Sequence, residues 1–206
     1  MKYTIIRLVP VLALVFLISC QKEVSSDQIA SGGGSTSQSI IGNYKFISMT
    51  ASTYSAVDVA LPGNEEKDIT ISNYITKDNT GTIAITASTF ASNNVGYSID
   101  TIANVYTYIN GSLFDSTQMP FQFAVPPGSS TASYKTVGSD SLYFTSGSAV
   151  SGGTTQQTQA SGGRWKWNGN LLYMTFRTSQ TSSQTVQGTQ AVTTDTAYVV
   201  YTLQKM

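Results

Sequence analysis

From residue 40 to the end of this 206-residue chain, no window keeps a 3.6-residue apolar period with good helix formers. Short runs of Ile, Val, Tyr, Phe and Thr recur instead, broken by Gly, Asn, Asp and Pro. That pattern predicts an all-β domain. Strands are expected near 43–53, 68–77, 81–91, 96–109, 112–124, 132–137, 141–146, 163–168, 171–179 and 193–205. Two neighbouring segments can be one bent strand, so the expected count is eight to ten.

The sharpest local signal lies at 163–177. Trp165 and Trp167 alternate with Arg164, Lys166 and Asn168, and Leu172, Met174 and Phe176 alternate with Tyr173, Thr175 and Arg177. Between the two runs, Asn168-Gly169-Asn170 is a tight-turn signal, because a positive φ is cheap for Gly and tolerable for Asn. The two indoles and the three apolar residues are expected on one core face. The final strand adds Val199, Tyr201 and Leu203 on one side. Trp165, Trp167, Phe176 and Tyr201 are therefore either core or a ligand-facing platform. Further turns are read at Asn110-Gly111 and Gly138-Ser139-Asp140.

Connection lengths suggest a meander. Short connections near 77–81, 110–111, 138–140 and 168–170 would share one end of a barrel. Connections near 54–67, 92–95, 125–131, 147–162 and 180–192, most of them longer, would share the other. An even strand count lets the first and last strands pair antiparallel and removes the sheet edges. On this reading the chain enters at the short-turn end, Met206 returns to it, and a binding mouth would lie at the long-loop end.

The segment before the domain carries a different message. Lys2 and Arg7 precede an apolar run at 8–18, too short for the roughly 20 residues that a membrane-spanning helix needs. The run ends Leu17-Ile18-Ser19-Cys20, which resembles the processing site of bacterial lipoproteins. Residues 1–19 are thus expected to be a lipoprotein signal peptide, with Cys20 the lipidated first residue of the mature protein and membrane lipid its partner. Two or three acyl chains anchor stably where one does not. Residues 20–39, with Ser-Gly-Gly-Gly-Ser-Thr-Ser, read as a tether reaching on the order of 25 Å, and residues 40–206 as the domain. Lys22-Glu23 just after Cys20 resembles the signal that sends Bacteroidota lipoproteins to the cell surface, and also suits an ordinary charged linker. Both readings stand.

Composition excludes more than it identifies. Lys2 and Arg7 are two of the 11 basic residues, so nine remain in the mature chain against 11 acidic ones. No basic patch is legible, which argues against nucleic acid. The chain has no His, and its one Cys is taken by the lipid. That removes the commonest general base and metal ligand, any Ser-His-Asp relay, and thiolate chemistry. Glu65, Glu66 and Asp68 form the one dense carboxylate cluster; beside Asn64 and Lys67 it reads as a solvated turn rather than a hydrolytic pair. Asp78-Asn79-Thr80-Gly81 reads as a turn, with too few oxygen ligands for a calcium loop. No catalytic residue, metal site or cofactor is expected, and the chain is expected not to be an enzyme.

Roughly a quarter of the chain is Ser and Thr, far above ordinary usage. Asp100-Thr101-Ile102, Asp115-Ser116-Thr117, Asp140-Ser141-Leu142 and Asp195-Thr196-Ala197 resemble the O-glycosylation sequon of Bacteroidota envelope proteins. This makes Thr101, Ser116, Ser141 and Thr196 candidate glycan acceptors. The same dipeptides also suit strand starts and turns.

The lipidated Cys, the Ser/Gly tether, the opening Gly42-Asn43-Tyr44-Lys45-Phe46 and the ending Val-Val-Tyr-Thr-Leu-Gln-Lys together resemble the lipocalin-like lipoproteins of Bacteroidota. Members often carry Gly-x-Trp on the first strand; here Tyr44 stands at the Trp position. The resemblance implies an antiparallel up-and-down β-barrel of the lipocalin/calycin kind and an outer-membrane, envelope location. It supplies no catalytic residues. The expected function is a non-catalytic module binding a small apolar or glycan ligand at the long-loop end. The alternative is a structural or interaction subunit with a filled barrel and an envelope-protein partner.

Overall fold

A computed structural model describes residues 38–61, 63–145, 161–186 and 189–206. The described chain is β throughout: β1 (Gly42–Leu61), β2 (Asn64–Ile75), β3 (Lys77–Ile85), β4 (Thr89–Ile109), β5 (Ser112–Val137), β6 (Ser141–Phe144), β7 (Ser161–Asn168), β8 (Leu171–Val186) and β9 (Thr189–Lys205). All pairings are antiparallel. β1 closes the ring by pairing with β9 from Tyr44↔Lys205 to Val59↔Ala191. The leader, Cys20 and nearly all of the tether lie outside the described residues.

β2 and β3 share one place in the ring. Both run antiparallel to β1, β2 from Thr50↔Ile75 and β3 up to Lys45↔Thr82. The stretch 76–81 on one side faces only 46–49 on the other, so the chain bulges there. Thr76 pins the junction: its N–H donates to the Met49 carbonyl at 2.9 Å and its hydroxyl accepts from the Met49 N–H at 2.8 Å. Gly81 lets the bulge pass β4. At φ +94°, a Cβ on it would sit 2.5 Å from the Asn94 carbonyl oxygen. Eight strand positions result, an even number, and the ring closes as expected.

The core fills the lower part of this barrel. Tyr44, Phe46, Phe90, Phe144, Ile83, Leu172, Met174, Leu203 and Val95 are almost wholly buried. Their rings form a connected chain: Phe90 to Phe144 at 5.9 Å, Phe144 to Phe176 at 6.0 Å, Phe176 to Tyr201 at 5.4 Å and Tyr201 to Phe46 at 6.5 Å. An eight-stranded barrel is just wide enough for side chains to fill it, and these do.

Above the core the architecture changes. β6 pairs with only 134–137 of β5, and β7 reaches only Phe176 of β8. The longer strands continue upward as three hairpins, β1–β2, β4–β5 and β8–β9, joined in the order β5-β4-β2-β1-β9-β8. Among the described residues, the upper edges of β5 and β8 have no ladder partner. Pro120 lies on the β5 edge, a place where a missing N–H is tolerated.

Several expected connections are therefore strand. Residues 54–67 and 180–192, read as loops, fall largely within the paired arms β1–β2 and β8–β9, and 125–131 lies inside β5; 62 and 187–188 lie outside the described residues. Residues 92–95 are a bulge in β4, with Asn94 at φ 50°, and 77–81 is the bulge opening β3 rather than a turn. Polar Ser/Thr-rich sequence misled the reading, because these arms rest on ladder pairing more than on burial. The true β3–β4 turn, Thr86-Ala87-Ser88, was missed. It has neither Gly nor Pro and is held by the Thr86 hydroxyl, which accepts from the Thr89 N–H at 3.0 Å. Of the expected 147–162 connection, 161–162 begin β7 and 147–160 lie outside the described residues.

Candidate binding surfaces at the two ends

The barrel has a base and a hairpin end. At the base lie the turns 86–88, 138–140 and 169–170, the entering residues 38–41, and Met206, whose N–H donates to the Asn43 carbonyl at 3.0 Å. At the other end lie the β1–β2 pair Leu61↔Asn64, the turn at 110–111 and the β8–β9 pair Val186↔Thr189. Chain entry and Met206 thus share an end with Asn168-Gly169-Asn170, as expected. Asn110-Gly111 does not. It forms the expected tight turn, with φ 51° and 76°, but at the far end, because two of the connections counted before it do not exist and one real turn was missed.

The base is organised by aromatic side chains. The Tyr44 hydroxyl donates to the Ile40 carbonyl and that of Tyr134 to the Thr86 carbonyl at 2.6 Å, fixing the entering chain and the β3–β4 turn. Trp167 lies 6.1 Å from the Tyr44 ring, and its Nε1 donates to the Gln38 carbonyl at 3.3 Å. The Lys205 ammonium sits 5.8 Å above the same indole. A cavity of about 310 Å³ opens beside Ile40, Tyr134, Thr136 and Trp165. Burial, reinforced by Tyr134, pushes the Tyr44 phenol from 10.0 up to about 12. Higher in the barrel, burial does the same to Tyr97, with Tyr74 beside it.

The four aromatics singled out from sequence do share a face, through the pairs Trp165↔Met174, Trp167↔Leu172 and Met174↔Tyr201. Their environments differ. Phe176 and Tyr201 are each 6% exposed and belong to the packed core. Trp165 and Trp167 are half-buried at its lower margin.

At the hairpin end a larger cavity of about 530 Å³ lies on the outer sheet face, with Ile69, Tyr108 and Val192 beside Asp58, Lys67 and Gln190. Lys67 Nζ is 3.0 Å from Asp58 Oδ1, and this hydrogen-bonded partner raises the Lys67 pKa. The Asn110 side chain ties two hairpin tips together, accepting from the Glu65 N–H at 2.9 Å and donating to Asn64 Oδ1 at 3.1 Å. Glu65, Glu66 and Asp68 lie on β2 rather than in the solvated turn read from sequence. Adjacent on a strand, Glu65 and Glu66 point to opposite faces. Asp68 accepts from the Thr107 hydroxyl at 2.6 Å.

The candidate glycan acceptors are unequal. Ser116 is exposed on β5. Thr101 is half-buried and its hydroxyl already donates to the Asn73 carbonyl at 2.8 Å. The Ser141 hydroxyl donates to Asp140 at 2.9 Å. Thr196 is half-buried on β9. Cys20 lies outside the described residues. Sequence reading missed the hairpin-end cavity, most of whose lining, Ile69 and Tyr108 apart, it had assigned to loops and turns. Pairing Asp58 with Lys67 requires the β1–β2 register, which no local motif announces.

No family model matches this chain, and no curated protein matches it. Among solved structures, Ail, the attachment invasion locus protein of Yersinia pestis, aligns over 79% of this chain and 99% of its own, with 8% identity and a TM-score of 0.18. At that score the likeness carries no argument about fold or function.

Proposed function

We propose that this protein is an envelope lipoprotein, anchored in the outer membrane through Cys20, whose lipocalin-like barrel serves as a non-catalytic interaction subunit. The observation that supports this is the filled interior. Where a lipocalin-type barrel would hold a ligand, Phe46, Phe90, Phe144, Phe176 and Tyr201 occupy the space. The barrel then acts as a rigid pedestal, and the three hairpins present the partner-facing surface. Ser116, the most open of the candidate acceptors, is the preferred glycan site in this reading.

A second reading keeps a small apolar or glycan ligand, moved from the barrel interior to the cavity of about 530 Å³ at the hairpin end. Its size falls in the usual range for ligand sites, roughly 300–1,000 Å³. One set of experiments separates these. A photo-crosslinking residue at Tyr108 on intact cells is expected to give one discrete envelope-protein adduct, and the same residue at Ala87 none. Adducts of mixed mass from both positions would defeat the interaction reading. A bound small molecule in native mass spectra, lost on Tyr108→Ala, would favour the second. Labelled fatty acid should enter the wild-type protein and not the Cys20→Ser variant; equal labelling ends the anchoring part.

A further inference from the structure

Charge is divided between the two halves of the molecule. Around the base, Lys45, Lys135, Arg164, Lys166 and Lys205 are all exposed on the outer wall, each a few residues from a basal turn or from the chain's entry. Asp140 is the acidic side chain in this belt among the described residues. The hairpin half is the reverse. It carries Asp58, Glu65, Glu66, Asp68, Asp115 and Asp195, against Lys67, already paired with Asp58, and Arg177, while Lys77, Asp78 and Asp100 lie between the two halves, Lys77 bridged to Asp100. Overall charge is zero, so the linear sequence hides this separation; the register produces it.

The basic belt is also aromatic and apolar. Trp167 lies under Lys205, and Tyr173 under Lys166 at 5.7 Å. Ile41, Val137 and Met206 are 52%, 57% and 69% exposed at the same end. Cations, indoles and phenols with a few open aliphatic groups are the composition that settles at a bilayer headgroup region.

We propose that the base of the barrel is a contact surface for anionic phospholipid headgroups, and that the charge separation holds the barrel upright with its hairpins pointing away from the membrane. This rests on the anchored-lipoprotein reading, since the chain leaves toward Cys20 from this end. A tether reaching on the order of 25 Å keeps the base near the bilayer. Within a Debye length of about 8–10 Å, anionic lipid attracts the belt and repels the acidic hairpins. The acyl chains alone hold the protein on the membrane, so the basic patch acts on its orientation.

The protein contains its own probe, because its two tryptophans, Trp165 and Trp167, are both at the base. The mature lipidated protein is placed in vesicles of phosphatidylcholine, with or without about 30% phosphatidylglycerol, containing a headgroup-quencher lipid. Tryptophan quenching should at least double in the anionic vesicles, and fall to the neutral-vesicle level in about 0.5 M salt. A variant with Lys45→Glu, Lys135→Glu, Lys166→Glu and Lys205→Glu should lose the anionic increment while still floating with the vesicles. Equal quenching in both vesicle types, insensitive to salt, overturns the proposal, whether the base then faces water or an acidic protein. Flotation on neutral vesicles reads the anchor alone, so failure of lipidation is distinguishable from failure of the contact. The salt comparison uses the wild-type protein and stands even if the variant folds poorly.

Discussion

The closed barrel and the hairpin half share β1, β4, β5, β8 and β9, yet they hold together differently. Below, inward positions are Tyr44, Phe46, Phe90, Phe144, Leu172, Met174 and Leu203, all nearly inaccessible. Above, the corresponding face continues through Ser55, Thr70, Thr107, Gln180 and Asp195, none of them fully buried, and the buried side chains on it, Ala103 and Ala191, are small. The lower half is held by burial, at roughly 25 cal/mol per Å² of apolar surface. The upper half is held by the ladder and by cross-strand hydroxyl pairs such as Thr53 with Ser72 at 2.7 Å, each contributing less than about 1 kcal/mol. A continuous strand thus need not be uniformly stable along its length.

The strongest way to break this contrast is Phe144→Ala. Phe144 meets the rings of Phe90, Tyr134 and Phe176, so its loss should cost about 3–5 kcal/mol in denaturant unfolding. Thr70→Ala, on the same face higher up, should cost less than about 1 kcal/mol. Equal losses would mean that the hairpin half is as well packed as the barrel.

The seam between the halves is tested by Gly81→Ala. The positive φ and the close approach of the Asn94 carbonyl predict a loss of roughly 2–3 kcal/mol. Gly111→Ala at a hairpin tip also has positive φ but open space around it, and should cost about 1 kcal/mol. Matching melting curves for the two variants would show that the bulge relaxes freely.

Alkaline pH should act on the barrel first. Tyr44 and Tyr97 are raised in the fold to about 12 from 10.0. The folded state therefore keeps protons that the unfolded chain has lost. The stabilisation is fully present below pH 10 and is lost as pH rises toward 12, on the order of 2 kcal/mol per phenol. A thermal melting temperature that stays level between pH 10 and 12 would contradict the burial of both hydroxyls. The smallest expected effect is Lys67→Ala. Its bridge to Asp58 joins side chains 42% and 47% exposed, so the change should stay below about 1 kcal/mol and vanish in high salt.

How much of this was legible beforehand depends on what each signal measures. The Trp165–Trp167 hairpin was legible in full, because alternation and an Asn-Gly-Asn turn are both local. The all-β class, the even ring and the shared end of entry and C-terminus were also legible. The hairpin arms at 54–67 and 180–192 were not, since polarity on both faces looks like loop when no core demands alternation. The turn at 86–88 was invisible because a threonine hydroxyl, rather than a glycine, makes it.

Taken alone, the sequence determined strand chemistry, the tight turns at 110–111, 138–140 and 168–170, the absence of any His side chain, and the alternation that lines up Trp165 with Trp167 and Met174 with Phe176. These follow from local periodicity, backbone freedom and side-chain inventory, which need no partner strand. The tertiary structure decided which end each turn occupies, that 64–85 runs as one bulged position, and that the basic side chains gather at the base while the carboxylates gather among the hairpins. Register decides those outcomes. A pairing shift of one residue sends every side chain to the opposite face, and pairing between residues far apart in sequence is settled only when the ring closes.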